Sequence, residues 1–224
     1  MIKIAVEPDF LPLTSLIDHK ASGQATGMII EILEAVFADT DLVPEFVPVP
    51  LAQQLTALNA GDIAAIAFKA ITPGHDRGCD FSLPIIKTGA AWFAPKGNPW
   101  TPDQATDRSR IATPGTGPLA ASLRAKFPKL EILETVSYDA SLKAVVETQA
   151  DVAALNFHIG CYLAERGYSQ EIEIPAEPYE QLDAALAVNE GDPENILGDF
   201  NTALERVIAS GLIPEIETKW LKSK

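Results

Sequence analysis

Apolar and polar positions along this chain alternate between short apolar runs and longer stretches with helical spacing. Residues 2–6 read as an apolar strand. Gly27 then opens Met28-Ile29-Ile30-Glu31-Ile32-Leu33-Glu34-Ala35-Val36-Phe37. Its two glutamates stand three apart on one helical face and leave the other face for a core. Residues 45–47 are predicted as a second strand, which Pro48 ends or pushes to a sheet edge. A helix over residues 51–60 follows, with Gly61 placed to stop it. Residues 63–68 are apolar without a break, as strands covered on both faces of a parallel sheet tend to be.

After residues 90–95 the texture changes. The segment Pro95-Lys96-Gly97-Asn98-Pro99-Trp100-Thr101-Pro102 is dense in turn residues and marks a candidate boundary. The same alternation then resumes. Strands are predicted over 110–113, 130–133, 152–155 and 184–188, and helices over 118–126, 141–149, 158–166, 194–209 and 213–221. There is no internal repeat and no low-complexity tract. Strands alternating with helices imply an α/β fold with parallel sheets flanked by helices. In such sheets ligands bind beyond the carboxyl ends of the strands.

Composition narrows the function classes. The 224 residues are 47% hydrophobic, enough for one large domain or two small ones. No run approaches the ~18 apolar residues of a membrane span. The net charge of −14 argues against nucleic acid and against anionic membrane surfaces. It favours a soluble monomer. Cys79 and Cys161 lie far apart without metal-ligand spacing, so they are either buried thiols or a single disulfide in an oxidising compartment. Neither a metal cluster nor a Ser-His-Asp arrangement is visible, and no cofactor is expected. The N-terminus reads as a strand and lacks a signal-peptide layout. Either the protein is cytosolic or a leader has been removed.

Several segments resemble, in order, the periplasmic amino-acid-type solute-binding proteins. Glu7-Pro8-Asp9-Phe10-Leu11-Pro12-Leu13 resembles the family's Asp-x-x-Tyr-Pro-Pro-Phe, and residues 27–32 match its Gly-Phe-Asp-x-Asp-Leu in outline. Phe46-Val47-Pro48-Val49-Pro50 resembles its second strand and the turn after it. Ile71-Thr72-Pro73-Gly74-His75-Asp76-Arg77-Gly78-Cys79-Asp80-Phe81-Ser82 is similar to its Ile-Thr-Pro-Glu-Arg and Asp-Phe-Ser segment. Ile111-Ala112-Thr113-Pro114-Gly115-Thr116-Gly117 is similar to Ile-Gly-Val-Gln-x-Gly-Thr-Thr, and Asp151-Val152-Ala153-Ala154-Leu155-Asn156 to Asp-Ala-Val-Val-x-Asp. Leu186-Ala187-Val188, Pro193-Glu194, Ala203-Leu204, Ser210-Gly211-Leu212-Ile213 and Lys219-Trp220 fall where the family ends.

The resemblance implies a two-lobed type II periplasmic binding fold. Lobe one would take residues 1–92 and 188–224, lobe two 93–187, with two crossings as a hinge and the ligand in the cleft between lobes. Its partners would be a small-molecule ligand and the membrane permease of an ABC transporter, and its place the periplasm, its leader removed. The same fold also serves as a sensory clamshell and, among relatives, as cyclohexadienyl dehydratase. Glu7 is the carboxylate that would act as general acid in that case.

The resemblance also assigns three jobs. The carboxylate clamp falls by count on His75, which lacks the planar fork of arginine. Arg77 or Lys69 is an alternative cation, unless these are solvated loop and strand-end residues. Ala70 stands where an assisting hydroxyl is usual, at the end of the strand that carries Phe68. In lobe two, Thr113 leads into the turn Gly115-Thr116-Gly117, and Pro118 opens a helix whose first amides attract anions. The ammonium anchor falls on Asn156, which is neutral, and Glu7 would be left to supply charge. Phe10 and Leu51 would form apolar walls. His158 reads as structural, and Trp92 either flanks the cleft or packs in the core. A small carboxylate or modified amino acid is therefore favoured over a standard one.

Overall fold

The computed structural model describes residues 1–16, 24–72, 78–115 and 119–222. In chain order, β1 (Ile2–Val6), β2 (Asp9–Phe10), β3 (Thr14–Leu16) and β4 (Ala25–Thr26) precede α1 (Met28–Phe37). Then come β5 (Pro44–Pro48), α2 (Leu51–Ala60), β6 (Ala65–Ala70), β7 (Cys79–Phe81) and β8 (Ile86–Phe93). β9 (Arg110–Pro114), α3 (Leu119–Lys126), β10 (Glu131–Thr135), α4 (Tyr138–Val146), β11 (Val152–Asn156) and α5 (Phe157–Gly167) follow. β12 (Glu180–Asn189), α6 (Leu197–Ser210) and α7 (Leu212–Leu221) complete the chain. The chain divides into two compact units, Met1–Lys87 with Leu182–Trp220, and Thr88–Gln181 with the residues from Leu221 on. It passes between them inside β8 and β12, and again at the end of α7.

In the first unit β1 is central. It runs parallel to β5, pairing Ile2 with Pro44 through Val6 with Pro48, and parallel to β6, pairing Ile4 with Ala65. β5 ends the strand order, so Pro44 and Pro48 sit on an edge strand, where a missing N–H is tolerated. β6 pairs antiparallel with β12, which also takes β7. Helix α1 buries Ile29, Ile32, Leu33 and Val36 completely, while Glu34 stays exposed. Its first amides, at Met28 and Ile29, donate to the carbonyls of Pro12 and Leu13. That close approach needs Gly27 at φ 130°, where a Cβ would fall 2.4 Å from the Leu13 oxygen. Glu31 is not merely solvated. It accepts from Lys219 Nζ at 2.8 Å and from Trp220 Nε1 at 3.1 Å, joining α1 to α7. Gly61 and Gly211 end α2 and α6 in the left-handed conformation. The small β2–β3–β4 sheet has strands of two or three residues, too short to leave a readable period in the sequence.

In the second unit β9 lies between β10 and β11, parallel to both, and β8 pairs antiparallel with β11. Two apolar clusters cover the two sheet faces. Val152 and Ala154 join Ile111 and Leu123 on one side, while Ala153 and Leu155 join Phe93, Leu142 and Val145 on the other. This alternation of neighbours along β11 is the period of two of a strand covered on both faces, and it explains the unbroken apolar run. Gly160 lets α5 approach closely, since a Cβ there would meet the Phe93 ring at 2.2 Å. Cys79 lies in the first unit and Cys161 in the second, and both are buried thiols rather than halves of a disulfide. Among the described residues no helix is long and apolar enough to cross a membrane.

Candidate ligand-binding surfaces

The first unit gathers most of its predicted residues at the carboxyl ends of β1 and β6. The parallel register that pairs Ala5 with Ile66 brings Glu7 level with Phe68 when continued, one residue before Lys69. Phe68, Lys69 and Ala70 are all half-buried there. Helix α2 starts beside them, and its first amide, Leu51 N–H, donates to the Glu7 carboxylate. Pro50 precedes α2 and offers no capping side chain, so Glu7 does that work from a distant strand. A carboxylate at a helix N-terminus is favoured by the helix dipole. Glu7 is thus already partnered by backbone. Leu51 itself is 52% exposed, an apolar side chain presented to solvent. Lys69 Nζ stands 5.5 Å from the centroid of the Phe81 ring, a cation–π distance that steadies the ammonium. Phe10 sits in β2, half-buried. Among the described residues the surface therefore offers the Lys69 cation, the helix-bound Glu7 carboxylate and apolar walls.

The second unit uses its predicted residues differently from a simple ligand clamp. Thr113 is fully buried, and its hydroxyl donates to the Ala154 carbonyl at 2.9 Å, binding β9 to β11. Gly115 donates its amide to the Thr135 carbonyl at 2.9 Å, so that N–H belongs to the strand ladder. A side chain at Gly115 would fall 2.9 Å from the Glu134 carboxylate, which pairs with Arg124 of α3. Any anion-binding amides must then come from the residues after Gly115. Thr116, Gly117 and Pro118 lie outside the described residues, as do His75 and Arg77.

Asn156 is the N-cap of α5. Its Oδ1 accepts from the amides of His158 and Ile159 at 3.1 and 3.3 Å, and its Nδ2 donates to Thr88 Oγ1 at 3.0 Å. Thr88 Oγ1 also stands 3.4 Å from Nδ1 of His158, a residue only 1% exposed. Histidine, threonine and asparagine thus form one polar chain, buried at His158 and Thr88 and half-buried at Asn156. Thr88 had no part in the sequence reading, although a lone hydroxyl inside the apolar run of β8 was a usable signal. Phe81, the ring under Lys69, was quoted as part of a motif but given no role. Trp92 stacks on Tyr179 at 4.2 Å, within the second unit.

Two units of mainly parallel sheet, each flanked by helices, with chain crossings in two strands, define the class of two-lobed periplasmic binding proteins. The family model of bacterial extracellular solute-binding proteins, family 3, matches residues 2–223, and the chain belongs to that family. Among solved structures it is similar to an ancestral cationic amino acid solute-binding protein, AncCDT-1, with TM-score 0.77 and 22% identity over 99% of this chain and 95% of that one. The periplasmic VFT2 domain of BvgS from Bordetella pertussis has TM-score 0.75 and 19% identity over 98% of this chain and 92% of that one. The GluR0 ligand-binding core from Nostoc punctiforme, solved with L-glutamate, has TM-score 0.75 and 17% identity, covering all of both chains. No curated protein matches the chain significantly.

Proposed function

We propose that this protein is an extracytoplasmic solute receptor for a small carboxylate-bearing ligand, delivered to an ABC transporter. Lys69, half-buried at the end of β6 in the first unit, is the cation for that carboxylate. One observation carries the ligand class. A carbonyl oxygen accepts about two hydrogen bonds, and Oδ1 of Asn156 already accepts two from the start of α5. Only one Nδ2 hydrogen remains for a ligand, and it is a donor. At the position where the family resemblance expects an acid for the ligand's ammonium, this chain therefore seeks an oxygen. A desolvated ammonium without a partner is costly, whereas a hydroxyl or oxo group suits the site.

The test compares ligands that differ only there. α-Hydroxy or α-oxo acids should raise the melting temperature more than the matching α-amino acids, since a bound ligand stabilises the native state by mass action. Lys69→Ala should weaken that response. A response confined to neutral sugars would overturn the carboxylate reading, and an α-amino acid preferred over its hydroxy analogue would overturn the role given to Asn156.

A sensory role for the same clamshell is supported by the similarity to the BvgS domain. The sequence of the full-length gene product decides it, because a sensor requires membrane and signalling segments joined to this unit. The dehydratase alternative rests on Glu7, whose carboxylate is held at the start of α2. Absence of prephenate or arogenate turnover by the purified protein would remove it.

A further inference from the structure

We propose that the second unit carries a separate binding site, an aromatic pocket for a small organic cation with an apolar body. The pocket is an open cleft of about 320 Å³ and lies wholly within that unit. Its wall is Trp92, stacked on Tyr179 at 4.2 Å with 13° between planes, and Trp100, packed edge-on to Trp92 at 4.8 Å. Glu173, whose carboxylate accepts from the Gly97 amide at 3.4 Å, and Glu177 also line it with Ala94 and three prolines, and no basic residue is part of it among the described residues.

Each part of this arrangement favours the same ligand chemistry. The volume lies at the lower end of small-molecule sites, so the occupant is small. Electron-rich ring faces attract cations, tryptophan most strongly. Tyr179 is held neutral, because burial and then the nearby Glu180 charge push its hydroxyl well above the usual range. The pocket's negative charge therefore comes from the two glutamates alone. Tyr179 is 36% exposed, and its amide donates to the Ala90 carbonyl at 2.9 Å, which fixes the backbone that carries the ring just before β12. The Glu173 amide is likewise fixed, donating to the Ala94 carbonyl at 2.8 Å. Pro175 and Pro178 stiffen the segment between these two anchors. The walls are thus preorganised, which lowers the ordering cost of binding. Nothing in the pocket draws on Lys69 or Asn156, so it is independent of the carboxylate site.

The experiment titrates the intact protein with 2-phenylethylammonium and, in parallel, with its neutral isostere 2-phenylethanol. The readout is the three indole N–H resonances, of Trp92, Trp100 and Trp220. The ammonium probe should shift Trp92 and Trp100 saturably and leave Trp220 unmoved, while the alcohol produces a much smaller effect. A Glu173→Gln, Glu177→Gln double variant, altered only at exposed positions, should bind the ammonium roughly tenfold more weakly, the factor that ~1.4 kcal/mol represents. Trp100→Ala should weaken it as well, with an unchanged melting curve showing that the fold survives. Equal shifts by amine and alcohol, no saturation at millimolar probe, or unchanged affinity in the double glutamine variant would each overturn the proposal. Lys69→Ala should leave the titration unaffected; loss of the shifts in that variant would place the probe elsewhere and overturn it too.

Discussion

Asn156 donates its side-chain amide to Thr88 Oγ1 at 3.0 Å, across 68 positions of sequence, while its oxygen caps α5. An aspartate caps a helix equally well but has no hydrogen to give. Asn156→Asp should therefore fold, with a loss of about 1 kcal/mol for the altered Thr88 bond. It should also shift preference toward α-amino acids over their hydroxy analogues, because it adds the missing charge. Competitive binding of one such pair to both proteins checks this, and an unchanged preference would remove Asn156 from the site. Asn156→Ala, which uncaps two amides, should cost more, about 1–2 kcal/mol by chemical denaturation.

Thr113 was a candidate ligand contact, and its hydroxyl is spent on the Ala154 carbonyl. Thr113→Val keeps the shape and removes the donor. The expected outcome is a destabilisation of about 1 kcal/mol with ligand affinity unchanged. Urea melts and a binding titration separate the two effects. A large loss of affinity at intact stability would restore Thr113 to the ligand.

Gly89 has φ 144°, and a Cβ there would lie 1.7 Å from the Glu180 carbonyl oxygen. Neither the backbone of β8 nor that of β12 can yield that far. Gly89→Ala should cost more than ~3 kcal/mol, among the large single-site effects. Thermal denaturation is the check, and a variant that melts within a few degrees of the parent would contradict the packing seen here.

Alkaline pH should destabilise the protein progressively from about pH 9 upward. Burial, with the Glu165 charge adding to it, pushes the Cys161 thiol from 9.0 to about 12. Burial likewise takes Tyr138 from 10.0 to about 12. Both raised values mean that the folded state holds its protons more tightly than the unfolded one. The contribution is complete below about pH 9 and is lost as pH rises through the folded values near 12. A Cys161→Ala, Tyr138→Phe variant should show a flatter fall in urea-derived stability over that window. An equally steep fall would show that these two groups do not carry it. The same burial predicts that Cys161 stays unmodified by thiol reagents until the chain unfolds.

Much of the fold was legible in local pattern. The α1 helix was visible because its apolar face recurs at helical spacing, and the ends of α2 and α6 because Gly61 and Gly211 adopt a conformation other residues resist. The edge position of β5 followed from Pro48. The β2–β3–β4 sheet was not legible, since strands of two or three residues carry no period. Nor was the tie from Glu31 to Trp220, because the pattern showed only an exposed acid on a helix.

The candidate site divides in the same way. Sequence by itself determined the α/β alternation, the family and which residue types stand at each anchor, because these depend on local order and spacing. Only the tertiary structure decided what those residues do. Glu7 meets the start of α2, Thr113 is spent on Ala154, and Asn156 is shared between Thr88 and its own helix. A polar side chain has few hydrogen bonds to give or accept, and its partners are chosen by the fold from residues tens of positions away.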